Sequence, residues 1–473
     1  MKNSTTLITA TLLGSLVVSS PTVTAAKTKA KKSAKPNVVI IFTDDQGFGD
    51  LGCFGSPNIK TPNIDKMADE GLKLTSFYVS ASVSSASRAA LLTGRLNIHN
   101  GVTGVFFPNA TGMSTNEVTM AEALKGQGYT TACIGKWHLG DIDGNLPLDQ
   151  GFDEYFGIPY SNDMYIGSTH TFAESIEWRE GFDLAKAQEH QEIAKVKQNA
   201  IKKIRNFPPL FEGDEIVEFP CDQATTTRRY FDRAIEFIER CRSNKEPFFA
   251  YITPAMPHYP LFASEEFEGR SERGLYGDVV EEIDYNVGRL IDYLDKSKLS
   301  KNTIFIFASD NGPSLNYKEL GGSAGPFRDG KFSIYEGGVR VPFVVKWDGV
   351  IPAGSSSDSI VASIDLFPTI MHYAGVDYSS LGIDGIESSS FFENPTKGLR
   401  DEYLYIFNGK ILGIRKGDWA YLPYTGSKKN NRNTPELFNL KEDISQSNNI
   451  HDQFPEKVAE LDALMQSYID AEK

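Results

Sequence analysis

The chain has 473 residues, of which 40% are hydrophobic and 23% are charged, so its composition is that of an ordinary globular protein. This length is sufficient for more than one hydrophobic core, and we expect one large and one small domain. The formal net charge of −14 argues against nucleic acid as a partner, because the overall field of the protein would repel a polyanion.

Residues 1–26 have the pattern of an export signal peptide. Lys2 gives a weakly positive start, residues 7–18 are mostly apolar, and the small residues Ala25 and Ala26 suit cleavage. Residues 27–36 are rich in Lys and Ala and predict a basic, solvated linker. The apolar run is too short to cross a bilayer and no later segment is long enough, so we expect no membrane span. The expected location is the periplasm or the outside of the cell.

Short apolar runs alternate with helical patterns along the middle of the chain. Runs that are apolar on both faces are typical of strands buried in a mostly parallel sheet between layers of helices, so the sequence predicts an α/β fold. The predicted strands are Val38–Phe42, Thr130–Ile134, Phe248–Ile252, Ile304–Phe307 and Phe343–Val345. The predicted helices are Asn63–Gly71, Met120–Gly128, Thr225–Arg242 and Asp278–Leu294.

Two segments depart from this alternation. Residues 161–220 are polar, with a helix-like stretch over 182–204. An insertion of this kind either builds a wall of a substrate site or is a solvated excursion. After Gly375 the strand patterns become shorter, and we predict a small α+β domain over residues 376–473 that ends in a helix at Pro455–Ala471. Residues 37–375 form the predicted larger domain.

The four cysteines have no close metal-ligand spacing. In an oxidising compartment they allow up to two disulfides, and the sequence leaves the pairing open. Cys133 lies within an apolar run and is predicted to be a buried thiol. Cys221 and Cys241 flank a predicted helix and are the least implausible pair.

Acidic residues directly follow two of the predicted strands. Asp44 and Asp45 come after the first strand, and Asp310 and Asn311 come after the fourth. Because parallel neighbours end at the same edge of a sheet, these pairs would bring together three carboxylates and an amide, which are hard oxygen ligands suited to Ca²⁺. Each pair alone is also ordinary loop chemistry, since Asp caps helices and Asp-Asn-Gly forms turns. The scarcity of histidines in strong motifs favours one calcium ion over a zinc pair.

The most specific motif is Ser84-Ser85-Ala86-Ser87-Arg88, followed by Ala89-Ala90-Leu91-Leu92-Thr93-Gly94-Arg95. The serines alone would indicate a turn that caps an apolar helix. The complete run resembles the signature of formylglycine-dependent sulfatases of the alkaline-phosphatase superfamily, in which a Cys or Ser is oxidised to an aldehyde. The resemblance implies that Ser84 becomes the nucleophile and that Arg88 contacts the nucleophile or the metal ligands. A plain serine would be left as a stable sulfate ester, whereas a hydrated aldehyde has a second hydroxyl that can expel sulfate.

Further motifs match the same family in the same order. In Gly135-Lys136-Trp137-His138, the resemblance implies that Lys136 holds sulfate oxygens and that His138 lies against the formylglycine hydroxyls. His258, between two prolines, matches the histidine that donates a proton to the departing sugar, and Lys331 matches a second sulfate-binding lysine. In isolation each of these would be an ordinary loop residue. The metal ligands of the family match Asp44, Asp45, Asp310 and Asn311. We also expect Arg340 to form a structural ion pair, with Glu336 as a candidate partner.

The resemblance extends from Asn37 to about Gly375 and implies a sulfuric ester hydrolase with Ca²⁺ and formylglycine as cofactors. The implied substrate is a sulfated oligo- or polysaccharide, with galactans such as carrageenan among the candidates. An acidic protein needs a locally positive pocket for such an anion, which Arg88, Lys136, Lys331 and calcium would supply. A serine at position 84 also implies a radical-type sulfatase-maturing enzyme as a partner.

Several alternatives stay open at this stage. The same fold could carry a phosphate or phosphonate ester hydrolase. The chain could also be a catalytically silent glycan-binding protein, if Ser84 is unmodified or is an engineered replacement of Cys. A sulfotransfer or signalling role finds no support in the sequence.

Overall fold

The computed structural model describes residue 1 and residues 35–142, 144–196, 201–396, 398–423 and 434–472. By its contacts the chain divides into two units, residues 1–34 and residues 35–473. The predicted signal peptide after residue 1, and the linker up to residue 34, lie outside the described residues. In the part of the chain that is described, no helix combines the length and apolar character needed to cross a membrane.

Strands are numbered here in chain order. They are β1 (Asn37–Thr43), β2 (Leu72–Leu74), β3 (Phe77–Tyr78), β4 (Thr130–Gly135), β5 (Glu154–Gly157), β6 (Thr171–Trp178), β7 (Leu210–Glu212), β8 (Glu215–Phe219), β9 (Phe248–Thr253), β10 (Thr303–Ser309), β11 (Phe343–Lys346), β12 (Ser355–Ser357), β13 (Val361–Ala362), β14 (Glu402–Phe407), β15 (Lys410–Lys416), β16 (Trp419–Leu422) and β17 (Glu436–Asn439).

The large sheet has 11 strands among the described residues, in the order β12-β2-β11-β10-β1-β9-β4-β5-β7-β8-β6. Its centre, from β10 to β5, is parallel. All residues of β1 are buried, and their side chains alternate between two cores. Val38, Ile40 and Phe42 enter the core on one face, and Val39 and Ile41 enter the core on the other. Strands apolar at every position are therefore covered on both faces, as the sequence predicts.

Helices cover both faces of this sheet. In chain order, the helices of the described residues are α1 (Pro62–Asp69), α2 (Ser84–Thr93), α3 (Asn97–Asn100), α4 (Met120–Lys125), α5 (Leu184–Val196), α6 (Gln223–Asn244), α7 (Leu275–Lys296), α8 (Glu336–Val339), α9 (Leu366–Ala374), α10 (Ser389–Glu393) and α11 (Pro455–Ala471). Apolar residues of α1, α6 and α7 pack on the face that contains Val39 and Ile41. Those of α2, α4 and α9 pack on the opposite face.

A smaller antiparallel sheet, β14-β15-β16-β17, lies near the C-terminus. Leu461 and Met465 of α11 pack on it, which completes the predicted α+β arrangement. A buried carboxylate joins this sheet to the rest of the fold: Glu336 pairs with Arg340 at 3.0 Å and accepts a hydrogen bond from the Tyr405 hydroxyl at 2.6 Å. The expected Arg340–Glu336 pair is thus present in the structure.

The structure decides two points that the sequence left open in the large sheet. Strand β11 runs antiparallel to β10, which the prediction of a mostly parallel sheet allows but does not specify. The polar segment 161–220 is not a solvated loop alone, because its strands β6, β7 and β8 extend the large sheet and its helix α5 packs beside them. Periodicity reports burial, but strand direction depends on the connections between strands.

All four cysteines are free thiols, and Cys133 is buried as predicted. The suggested Cys221–Cys241 pair is wrong. The two residues flank most of α6, and 20 residues of helix span about 30 Å, far beyond the reach of a disulfide.

Candidate active site

The polar motifs meet at the carboxyl edge of the parallel strands. Asp44 and Asp45 follow β1, and Asp310 follows β10, the parallel neighbour of β1. One oxygen from each of these three carboxylates lies within 4.8 Å of the others, and all three residues are buried. The neighbouring Asn311 donates from Nδ2 to Asp45 Oδ1 at 2.7 Å, and its side-chain carbonyl oxygen lies 3.4 Å from Ser84 Oγ. These residues could hold a metal ion.

Ser84 lies against this carboxylate cluster. Its Oγ donates to Asp44 Oδ1 at 2.9 Å and lies 3.4 Å from Asn311 Oδ1. Helix α2 begins at Ser84, with Val83 as its N-cap. Ser84 is therefore in the first turn of a fully buried ten-residue helix, whose amino end favours negative charge.

Arg88 is one helical turn beyond Ser84 and faces the same way. Its Nε and Nη2 donate to Asp310 Oδ2 at 3.0 and 2.8 Å, and its Nη1 donates to the Lys136 carbonyl at 3.1 Å. Arg88 thus contacts a candidate metal ligand, which is one of the two options that the sequence left open. Its side chain is fully buried, and Asp310 balances its charge.

Two lysines reach the cluster from different loops. Lys136, after β4, donates from Nζ to Asp44 Oδ2 at 2.5 Å and to Ser84 Oγ at 3.1 Å. Lys331 donates from Nζ to Asp45 Oδ2 at 2.7 Å. Lys331 lies on the segment that precedes β11, and because β11 is antiparallel, this segment enters at the same edge where β1 and β10 end.

His138 is held by backbone geometry and by one hydrogen bond. It has a left-handed φ of 66°, which is uncommon outside glycine, and Gly135 and Gly140 on either side also have positive φ. Its Nε2 lies 3.1 Å from the carbonyl oxygen of Phe106, which can only accept, so Nε2 carries the proton. The buried Nδ1 has no hydrogen-bond partner among the described residues and is left as an acceptor.

His258 faces the cluster from the opposite loop, after β9. Its Nε2 lies 3.7 Å from Asp45 Oδ2. Its Nδ1 lies 2.9 Å from Asn162 Oδ1, and Ser161 Oγ is 3.2 Å from the same nitrogen. The structure thus brings all ten predicted site residues into one buried cluster and its immediate surroundings.

The charges of the site shift its protonation equilibria. Burial alone would raise the pKa of Asp44, but Lys136 and the other cations hold that pKa well below its usual range. Burial raises the pKa of Asp310 to about 6, although Arg88 opposes the increase. Burial, reinforced by Lys331, lowers the pKa of His258 to about 3. Burial and then Lys136 also depress the pKa of His138.

Asn162 was not among the predicted site residues. Its Nδ2 donates to the Pro260 carbonyl at 2.7 Å and to Gln223 Oε1 at 3.0 Å, which fixes the amide with Oδ1 toward His258. Gln223 is fixed in turn, because its Nε2 donates to the Asn162 carbonyl at 3.2 Å. One signal in the sequence could have identified this residue, because Tyr160-Ser161-Asn162-Asp163-Met164, at the start of the polar segment, also resembles a sulfatase motif.

Comparison with known proteins agrees with this geometry. A family model described as Sulfatase matches residues 36–376, and one described as N-sulphoglucosamine sulphohydrolase, C-terminal, matches residues 325–472. Arylsulfatase G of Rattus norvegicus is 34% identical over 459 residues, which are 90% of this chain and 84% of that protein.

Two solved structures are similar over nearly the whole chain. The PsFucS1 sulfatase from Pseudoalteromonas sp. has a TM-score of 0.79 at 27% identity, with coverage of 93% of this chain and 91% of that one. Ps i-CgsB, solved in complex with k-i-k-neocarrahexaose, has a TM-score of 0.74 at 28% identity and 92% coverage of each chain. The family match spans the strands and loops that build the carboxylate and lysine cluster. The chain therefore belongs to the sulfatase family and is a sulfuric ester hydrolase that acts on sulfate esters.

Proposed function

We propose that this enzyme removes sulfate from a sulfated carbohydrate by using an oxidised side chain at position 84. The observation that carries the proposal is the position of Ser84 Oγ, which is within hydrogen-bond distance of both Asp44 and Lys136. A reacting group at this point lies beside both a buried carboxylate and a buried ammonium. That arrangement suits a nucleophile directed at an anionic ester.

The donor set fits a calcium ion. Asp44, Asp45 and Asp310 supply carboxylate oxygens, Asn311 supplies an amide oxygen, and hard oxygen ligands of this kind suit Ca²⁺. Without a metal, the three carboxylates are balanced by Arg88 and the two lysines, which are paired with them. A bound divalent cation would give the cluster an excess of positive charge, and that excess would attract the singly charged sulfate ester.

The lysines and histidines have separate roles in this proposal. Lys136 and Lys331 turn from their carboxylate partners to the sulfate oxygens and hold them as point charges. His258 directs Nε2 toward the cluster and donates a proton to the leaving sugar oxygen once it is protonated. His138, with an unpartnered Nδ1, accepts a proton from the group at position 84. Arg88, one helical turn after Ser84, holds Asp310 in place through its hydrogen bonds.

Oxidation of Ser84 to formylglycine would be carried out by a radical-type sulfatase-maturing enzyme. When hydrated, the aldehyde supplies one hydroxyl that displaces the sugar from sulfur and a second that expels sulfate as the aldehyde re-forms. The buried position of Ser84, at 1% exposure, implies that maturation precedes complete folding.

Carbohydrate is the proposed substrate because of the named relatives. Ps i-CgsB was solved with a neocarrahexaose, and sulfated galactans such as carrageenan are therefore the first candidates. The proposed export signal over residues 1–26 would place the enzyme in the periplasm or outside the cell, where such polymers are met. We assign residues 37–375 as the catalytic domain, in line with the family match to 36–376, and residues 376–473 as the C-terminal subdomain.

The test combines peptide mass with product analysis. The protein is co-expressed with a radical-type maturing enzyme, and the peptide that contains residue 84 should lose two hydrogens. The matured enzyme should release inorganic sulfate from sulfated oligosaccharides without new reducing ends, and Ser84→Ala should release none. Hydrolysis of phosphate esters in preference to sulfate esters would contradict the proposal, and so would binding of glycans by an unmodified, inactive protein.

A further inference from the structure

Phe332 is exposed and strained beside a sulfate-binding lysine. Its side chain is 53% exposed, and its backbone has a left-handed φ of 67°, which a bulky residue rarely adopts. A hydrogen bond from its N–H to the Ser82 carbonyl at 3.0 Å holds this conformation. The Lys331 ammonium lies 5.5 Å from the centre of the ring. Folding gains nothing from an exposed aromatic ring on strained backbone, and such strain is concentrated at functional sites.

Tyr317 is a second exposed ring, on the short 3₁₀ helix Leu315–Leu320 that follows the Asp310-Asn311 loop. It is 41% exposed and stacks on Tyr259, with ring centres 4.1 Å apart and planes inclined by 18°. Tyr259 directly follows His258, the proposed proton donor. The tyrosine pair therefore stands next to the position that the leaving sugar oxygen would occupy.

The two loops that carry these rings are in direct backbone contact. The Lys331 N–H donates to the Pro313 carbonyl at 2.9 Å. A Cβ added at Gly330 would lie 2.2 Å from that same carbonyl oxygen, so only glycine permits the approach. Tyr317 and Phe332 consequently both lie near Lys331, on two loops that contact each other.

We propose that Tyr317 and Phe332 are stacking surfaces for the pyranose rings of the sulfated carbohydrate. This inference rests on the proposed function and assigns residues to the sugar rather than to the sulfate. A protein with a net charge of −14 repels a polyanion, so affinity must come from the local cations and from uncharged contacts. Aromatic rings supply uncharged contacts of this kind, because they pack on the apolar face of a sugar ring whatever the net charge of the protein.

Binding, rather than turnover, tests this assignment. Isothermal titration calorimetry in calcium buffer uses protein expressed without a maturing enzyme, so that Ser84 is unmodified and no ligand is consumed. The probes are inorganic sulfate, 4-nitrophenyl sulfate, a sulfated neocarrabiose and N-acetylgalactosamine 6-sulfate. The variants are Tyr317→Ala and Phe332→Ala, with the ring-retaining Tyr317→Phe and Phe332→Tyr. Tyr285→Ala is the matched control, since Tyr285 is a 46% exposed tyrosine on α7 that contacts Phe267.

Loss of either ring should weaken binding of the sulfated sugar that binds more tightly by about 3- to 10-fold. The affinity for inorganic sulfate should stay within about twofold of the wild-type value. The ring-retaining variants and the Tyr285 control should bind like the wild type. Equal weakening of sugar and inorganic sulfate would overturn the inference, as would sugar affinities within about twofold of wild type in both alanine variants. Weaker binding of 4-nitrophenyl sulfate alone would also overturn the inference, because the rings would then contact aryl esters rather than sugars. The proposed function fails separately, if matured enzyme releases no sulfate.

Discussion

Replacement of Asn162 by alanine tests the orientation of His258. Two acceptors, the Pro260 carbonyl and Gln223 Oε1, fix the Asn162 amide, so its Oδ1 accepts the Nδ1–H of His258 at 2.9 Å. This bond leaves Nε2 directed at the cluster, 3.7 Å from Asp45. Asn162 is a positioning residue in this account, because it acts on the substrate only through the imidazole.

The size of the effect of Asn162→Ala follows from the positive charge of the His258 imidazole, which must be protonated before it can donate a proton to the leaving group. A hydrogen bond to a charged group contributes about 1.5–3 kcal/mol, which corresponds to roughly 10- to 150-fold in rate. Asn162→Ala should lower kcat/KM by about that factor for a sugar sulfate, whose alkoxide leaving group needs a proton. For 4-nitrophenyl sulfate, whose leaving group departs unprotonated, the loss should be less than about threefold.

The assay compares both substrates on matured enzyme, and Asn97→Ala is the matched control. Asn97 is equally buried and donates to the carbonyls of Ala86 and Val102 at 2.6 and 3.0 Å. This control should lose stability while the ratio of the two rates stays unchanged. Equal losses on both substrates in Asn162→Ala would refute the reasoning, since a general loss of structure does not distinguish leaving groups.

Three further outcomes are expected. Exhaustive chelation should abolish sulfate release and added Ca²⁺ should restore it, whereas full activity after chelation would contradict the calcium assignment. Glu336→Gln should lower the free energy of unfolding in urea by about 3–5 kcal/mol, because it leaves the buried Arg340 without its charge partner; the more exposed control Glu402→Gln should cost less than about 1 kcal/mol. His99 is partly buried, but its contacts with Asp384 at 2.7 Å and Glu472 at 2.8 Å outweigh that burial and raise its pKa. The contribution of His99 to folding stability is therefore complete below its pKa in the unfolded chain, about 6.5, and is lost as pH rises through its higher pKa in the folded protein. We expect His99→Gln to lower the melting temperature at pH 6 and to have no effect on it at pH 9.

Local sequence was sufficient to predict the fold class and to identify residues that gather in one cluster. The strand Asn37–Thr43 is apolar at its five central positions, Val38–Phe42, and only a sheet covered on both faces can bury all five side chains. Asp44 and Asp310 follow two such strands directly, so the rule that parallel strands end at one edge placed their carboxylates together. These features depend on residue type and spacing within a few positions, which the sequence displays.

The tertiary structure decided which distant loops reach the carboxyl edge of the parallel strands. It also decided which groups the side chains on these loops contact. Strand β11 runs antiparallel, and this direction brings Lys331 and Phe332 to the site from its amino end. The Asn162–His258 contact joins residues 96 positions apart, and the separation of Cys221 and Cys241 follows from the path of α6. Strand direction, register and loop approach arise from packing between segments far apart in the chain, and for that reason local patterns of residue type do not contain them.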